Sequence, residues 1–202
     1  MLIRRILLDT AIQRNRGAVF SINPQGNPMK KLLKISALLA LPAALAACGS
    51  MAPMVAPVAP AAVSVPAGNK LVSMLKGVGM LTWECKANDT GAFVWSGPSP
   101  EADLIDKSGA NQGKYYGGPT WSHNDGSKVT GKQLAVSPSP GNIPLQLVQA
   151  NPATGDGAMK GVTYIQRLNT VGGTAVGTCT AANAGAKQQV KYAADYYFYK
   201  AS

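Results

Sequence analysis

The 202-residue chain is 46% hydrophobic, 14% charged and 6% aromatic, with 22 glycines, 14 prolines, three cysteines and one histidine. That length holds one domain, or one domain behind a leader. The low charge and the high Gly and Pro content exclude a coiled coil and argue against a helical bundle, while one histidine and three cysteines exclude a His-pair metal site and a multi-finger zinc protein.

The net charge of +10 is unevenly placed: seven basic residues and one acid precede Cys48, leaving twelve and eight after it, scattered singly. Phosphate binding needs a basic patch that survives processing, so nucleic acid is not an expected partner. Residues 29–47 (MKKLLKISALLALPAALAA) join three lysines to an apolar run of 13 residues. A membrane-spanning helix needs about 20, so the run reads as a signal-peptide core. It ends in Leu45-Ala46-Ala47-Cys48, the pattern of a bacterial lipobox. Its cysteine takes a diacylglyceryl group and becomes the new N-terminus. Lipidation at Cys48 implies a membrane partner, and Gly49 in place of an aspartate directs the expectation to the outer membrane. Residues 1–28 precede a complete signal and read as an upstream start assigned too early. The span 48–66, with prolines at 53, 57, 60 and 66 and no charge, reads as the lipidated Cys and an extended Ala/Pro-rich tether reaching roughly 50 Å.

Residues 67–202 form the expected domain. Short apolar or alternating runs separated by Gly, Pro, Asn and Asp predict strands at 79–86, 92–95, 102–106, 113–116, 120–122, 128–136, 145–149, 162–167, 174–180 and 188–199. Asp125-Gly126 is the clearest tight-turn signal. Leu71, Met74 and Leu75 share a helical face, which predicts one short N-terminal helix over 69–76. The expected fold is all-β, a single antiparallel sandwich or barrel, with both architectures left open. With Cys48 acylated, Cys85 and Cys179 remain. In an oxidising compartment they are expected to pair, tying an early strand to a late one.

The run GKYYGGPTWSHNDGSKVTGK at 113–132, with GVGMLTWECKA at 77–87, FVWSGPSPEADLID at 93–106, NIPLQLVQA at 142–150, GVTYIQRLNTVGG at 161–173, Cys179 and YAADYYFY at 192–199, resembles domain-of-unknown-function family 3455, secreted proteins of bacteria and fungi. The resemblance covers nearly all of the mature domain and carries no established activity with it. Some fungal members bear the name malate dehydrogenase, but this chain has no GxGxxG after a strand and no βαβ alternation. Members often have His where Tyr115 stands, so this chain departs from the pattern at that position.

No constellation predicts catalysis, a cofactor or a metal. Ser122, His123, Asp125 and Ser127 are too close along one hairpin to converge as a triad. Glu101, Asp103 and Asp106 offer carboxylates at a polar loop end. Trp83, Trp95, Trp121, Tyr115, Tyr116 and the C-terminal tyrosines are core candidates that could also stack on a glycan. The candidate ligand loop is Tyr115, Tyr116, Gly117, Gly118, Pro119 and Trp121, where paired glycines permit close approach. The expected role is a non-catalytic cell-envelope lipoprotein binding a ligand or an envelope partner. The alternatives are a carbohydrate-binding module, resting on Trp121, and a hydrolase working through Asp103, Asp106 or His123.

Overall fold

The structure is a computed structural model, and it describes residues 54–202. The expectations for the upstream segment, the signal peptide and acylation of Cys48 lie outside the described residues. The strands are β1 (Asn69–Ala87), β2 (Phe93–Ile105), β3 (Asn111–Tyr116), β4 (Thr120–His123), β5 (Lys128–Ser137), β6 (Leu145–Ala150), β7 (Val162–Gly172) and β8 (Lys187–Ala201). Each pairs antiparallel with the next, and β1 pairs with β8 to close the sheet. Of the two architectures left open by the sequence, the protein is therefore an up-and-down barrel, and closure leaves no unpaired strand edge.

Three expected elements differ. Residues 69–76 are strand, not helix: Asn69 through Lys76 pair with β8 from Ala201 to Asp195. A register shift between Leu71 and Ser73 inserts one extra residue. Val72 and Leu75 then both pack on the barrel core. The same extra residue leaves Leu71 opposite Tyr199 and Met74 opposite Tyr197, so the bulge spaces same-face residues three apart and imitates a helical period. The only helical turn near the N-terminus among the described residues is a 3-10 turn over Ala61–Val63. The runs at 92–95 and 102–106 merge into the single strand β2. Residues 174–180 form an irregular loop, because Gly172 and Gly173 take φ of 66° and 85° and end β7.

The strand period of two sorts residues cleanly along β8. Tyr192, Ala194, Tyr196 and Phe198 face the barrel interior. Tyr197 packs on a separate outer cluster. Small inward residues make room for the large rings. A Cβ at Gly77 would sit 2.5 Å from Cε2 of the fully buried Tyr196 ring. Trp121, Leu81, Leu104 and Ile165 complete the inner core.

The outer cluster corrects the extent of the spacer. Ala59, Val63 and Val65 pack against Leu147, Leu168 and Tyr164 on the outside of the barrel. Val63 is fully buried, a contribution of about 2 kcal/mol. Its carbonyl accepts from Gln166 Nε2 at 2.7 Å, and Gln166 Oε1 accepts from the Tyr199 hydroxyl at 3.1 Å. The last third of the segment expected as a tether is therefore part of the folded unit.

Cys85 and Cys179 form the expected disulfide. Cys85 lies near the end of β1, whereas Cys179 lies in the loop between β7 and β8 and not in a strand. The same loop is held by two indoles: Trp83 Nε1 donates to Gly173 O at 2.8 Å and Trp95 Nε1 to Gly177 O at 3.0 Å.

Candidate functional site

One mouth of the barrel is formed where β1 ends, β2 begins, β3 turns into β4, β5 ends and β6 begins. A cavity of about 500 Å³ opens there, lined among others by Trp83, Tyr115, Gln133, Gln146 and Arg167. This volume lies in the range of small-ligand sites. Pro98, Pro100, Pro119 and Pro144 supply much of its apolar rim. Proline cannot donate to the sheet ladder: Pro119 and Pro144 lie in connections between strands, Pro98 lies within β2 at the register shift against β1, and Pro100 lies within β2 opposite Leu81.

Arg167 lies across from Gln146 on β6 and Tyr196 on β8, so these three residues form one row on the inner wall. Arg167 is only 8% exposed. Its Nε and Nη2 both donate to the Pro144 carbonyl, at 3.2 and 2.9 Å. Gln146 Nε2 donates to Gln133 Oε1, but Gln146 Oε1 is buried without a donor. The indole N–H of Trp121 also lacks an acceptor. Such orphaned groups are uncommon in a folded interior.

The rings behind the cavity form one cluster. Tyr115 stacks on Trp121 with centroids 4.8 Å apart, and Tyr196 meets them at 5.1 and 5.9 Å. The Tyr192 and Tyr196 hydroxyls lie 3.3 Å apart. Burial pushes the hydroxyls of Tyr115, Tyr192 and Tyr196 well above the ordinary tyrosine value and keeps them neutral.

The structure divides the expected ligand loop. Trp121 is fully buried and Tyr115 is 5% exposed, so these rings are core. Tyr115, Gly118 and Pro119 do line the cavity. Tyr116 points outward at 39% exposure. Gly117 approaches the Ser99 side chain, with a Cβ there lying 3.3 Å from its Oγ. Trp83 lines the cavity, but the expectation of a glycan platform on Trp121 fails on burial.

The residues of the hydrolase reading fall in three separate hydrogen-bonded groups. Asp103 accepts from Lys114 Nζ at 2.7 Å on the barrel exterior, and that bond holds its carboxyl below the usual value. Asp106 is lowered to about 2, chiefly by the Ser108 hydroxyl, with the Ala110 and Ser108 N–H groups and Gln112 adding to it. His123 Nδ1 lies 3.0 Å from Asp125 Oδ2. Asp125 is committed to structure: it accepts from the Ser127 hydroxyl and N–H and from Ala158 N–H, and these bonds hold it far below the usual carboxylate range. Among the described residues no group of three His, Cys, Asp or Glu side chains could hold a metal.

Sequence reasoning missed Arg167, Gln133 and Gln146. A signal for Arg167 was present: it is the only arginine after Arg16 and stands two positions beyond Ile165 on the same strand face. The amides carried no such signal, because surface strands use glutamine freely. At the opposite end of the barrel a more open depression of about 670 Å³ has no charged side chain in its lining.

Fold and mouth together define an eight-stranded antiparallel barrel with a lined end cavity. The chain belongs to the family described as Protein of unknown function (DUF3455), which matches over residues 66–200. No curated protein matches the chain, and no solved structure matches it.

Proposed function

We propose that the protein is a non-catalytic ligand-binding barrel, displayed at the bacterial cell envelope on a lipid anchor at Cys48. The observation that carries this reading is the cavity of about 500 Å³ with Trp83 and Tyr115 in its wall and the side-chain carbonyl of the lining residue Gln146 left without a protein donor. A pocket with a largely apolar lining and a few convergent polar groups is the usual form of a small-molecule site. The lipobox supports the anchor. Ala59, Val63 and Val65 pack on the barrel, which leaves fewer residues between the anchor and the folded unit, and outer-membrane residence follows from Gly49.

The test is native mass spectrometry of the full chain purified from its membrane, looking for retained small molecules. Val136 lines the cavity yet is 44% exposed, so Val136→Trp fills the mouth without burying a misfit. Retention by the wild type and loss in Val136→Trp is expected. Retention unchanged by that substitution counts against the site. A glycan is the second reading, favoured by the Gln133 and Gln146 amides beside Trp83 and Tyr115. It would use this mouth in place of the Trp121 ring.

A further inference from the structure

We infer that the mouth of the barrel takes a small organic anion on a flat apolar body, with its charge received by Arg167. This narrows the ligand-binding reading above and rests on it.

Arg167 is the one buried charged side chain among the described residues. Eleven lysines supply the remaining positive charge there, and all are exposed except the half-buried Lys200. A guanidinium cannot escape burial by losing its proton. An ion taken out of water without a counter-charge keeps a desolvation cost that its burial does not recover. Yet the ion pairs among the described residues join Lys114 to Asp103 and Lys160 to Asp156, and Asp125 lies beside His123. Among the described residues no carboxylate pairs with Arg167.

The protein's own neighbours do not supply the missing charge. One carbonyl, that of Pro144, serves two of the five N–H donors. The Tyr196 hydroxyl stands beside the guanidinium. It is fully buried, its neighbours Tyr115 and Tyr192 are nearly so, and burial keeps all three protonated. The cation therefore faces a cavity, uncompensated, at the position where an incoming oxyanion would be desolvated on arrival. Arginine's fork matches a carboxylate, phosphate or sulfonate in two parallel hydrogen bonds. Trp83 and Tyr115 offer ring surfaces, and Pro98, Pro100 and Pro119 offer flat apolar edges for the rest of the molecule.

The experiment uses the full chain in phosphatidylcholine nanodiscs and isothermal titration with 2-naphthoate, 2-naphthamide and 2-naphthylmethylammonium. These share one aromatic body and differ in charge. The wild type is expected to bind the carboxylate at least tenfold more tightly than the amide, and the cation most weakly. Arg167→Gln is expected to bring the carboxylate to the level of the amide measured on the same variant. Arg167→Lys is expected to keep part of the preference. Equal affinity for all three probes, abolished by Val136→Trp, overturns the anion while the ligand reading stands. A carboxylate preference untouched in Arg167→Gln overturns the role of Arg167. Absence of binding by every probe overturns both. Should Arg167→Gln fail to fold, the three-probe ranking in the wild type and Arg167→Lys still decides.

Discussion

Removing the Cys85–Cys179 crosslink tests how this barrel is held closed. The bond joins residues 94 apart. In the chain-entropy account, a closed loop of that size restricts the unfolded chain by about 4–5 kcal/mol at 25 °C. A domain of this size has a total stability of roughly 5–15 kcal/mol, so the bond is a large share of it. The loop carrying Cys179 keeps its other attachments, Trp83 to Gly173 O and Trp95 to Gly177 O. Reduction should therefore lower stability without dismantling the fold. Urea unfolding of the full chain, oxidised and reduced, reads the difference. With a slope of about 2 kcal/mol/M the midpoint falls by roughly 2 M. A Cys85→Ala/Cys179→Ala double variant should match the reduced protein to within the cost of one small cavity. A loss below about 1 kcal/mol, with the bond verified by non-reducing peptide mapping, would refute the unfolded-state argument. It would place residual structure around these cysteines in the denatured chain.

Gly77→Ala inserts a methyl 2.5 Å from the Tyr196 ring, which is enclosed by Tyr115 and Trp121. Overpacking of this kind costs about 1–3 kcal/mol, read as a lower urea midpoint; an unchanged midpoint would mean that the ring cluster can shift. The buried tyrosines also set an alkaline limit. Tyr115, Tyr192 and Tyr196 ionise above the ordinary value in the fold because of burial. The unfolded chain loses these protons near pH 10. Above that pH the unfolded state binds fewer protons than the native one, so stability falls as pH rises. Absorbance at 295 nm should show these three phenolates appearing together with loss of near-ultraviolet circular dichroism; their appearance in a still-folded protein would sink the assignment.

The division between what was legible and what was not follows the range of the interactions. Turn chemistry is local, so Asp125-Gly126 marked its turn from sequence alone, and the β4–β5 hairpin lies where that dipeptide requires. Alternation is also local, which is why β8 could be read with rings on both faces. A bulge is not local. It is defined by the partner strand, and the extra residue at 72 exists only relative to the β8 register. The same reason hid the docked segment at 59–65. Alanine, proline and valine compose a spacer and a packed strap equally well, and only the apolar outer faces of β6 and β7 decide between them. The cavity belongs to the same class. Tyr115 and Trp121 read as either core or platform, and the barrel's closure made them core. Closure also turned Arg167, an unremarkable cation in a strand, into a buried charge facing a space. Gln146, Arg167 and Tyr196 are scattered along the chain and become neighbours only through pairing across β6, β7 and β8. A site assembled from cross-strand rows leaves no motif in the sequence. The excess of one buried cation over its partners is the trace such a site leaves in the fold.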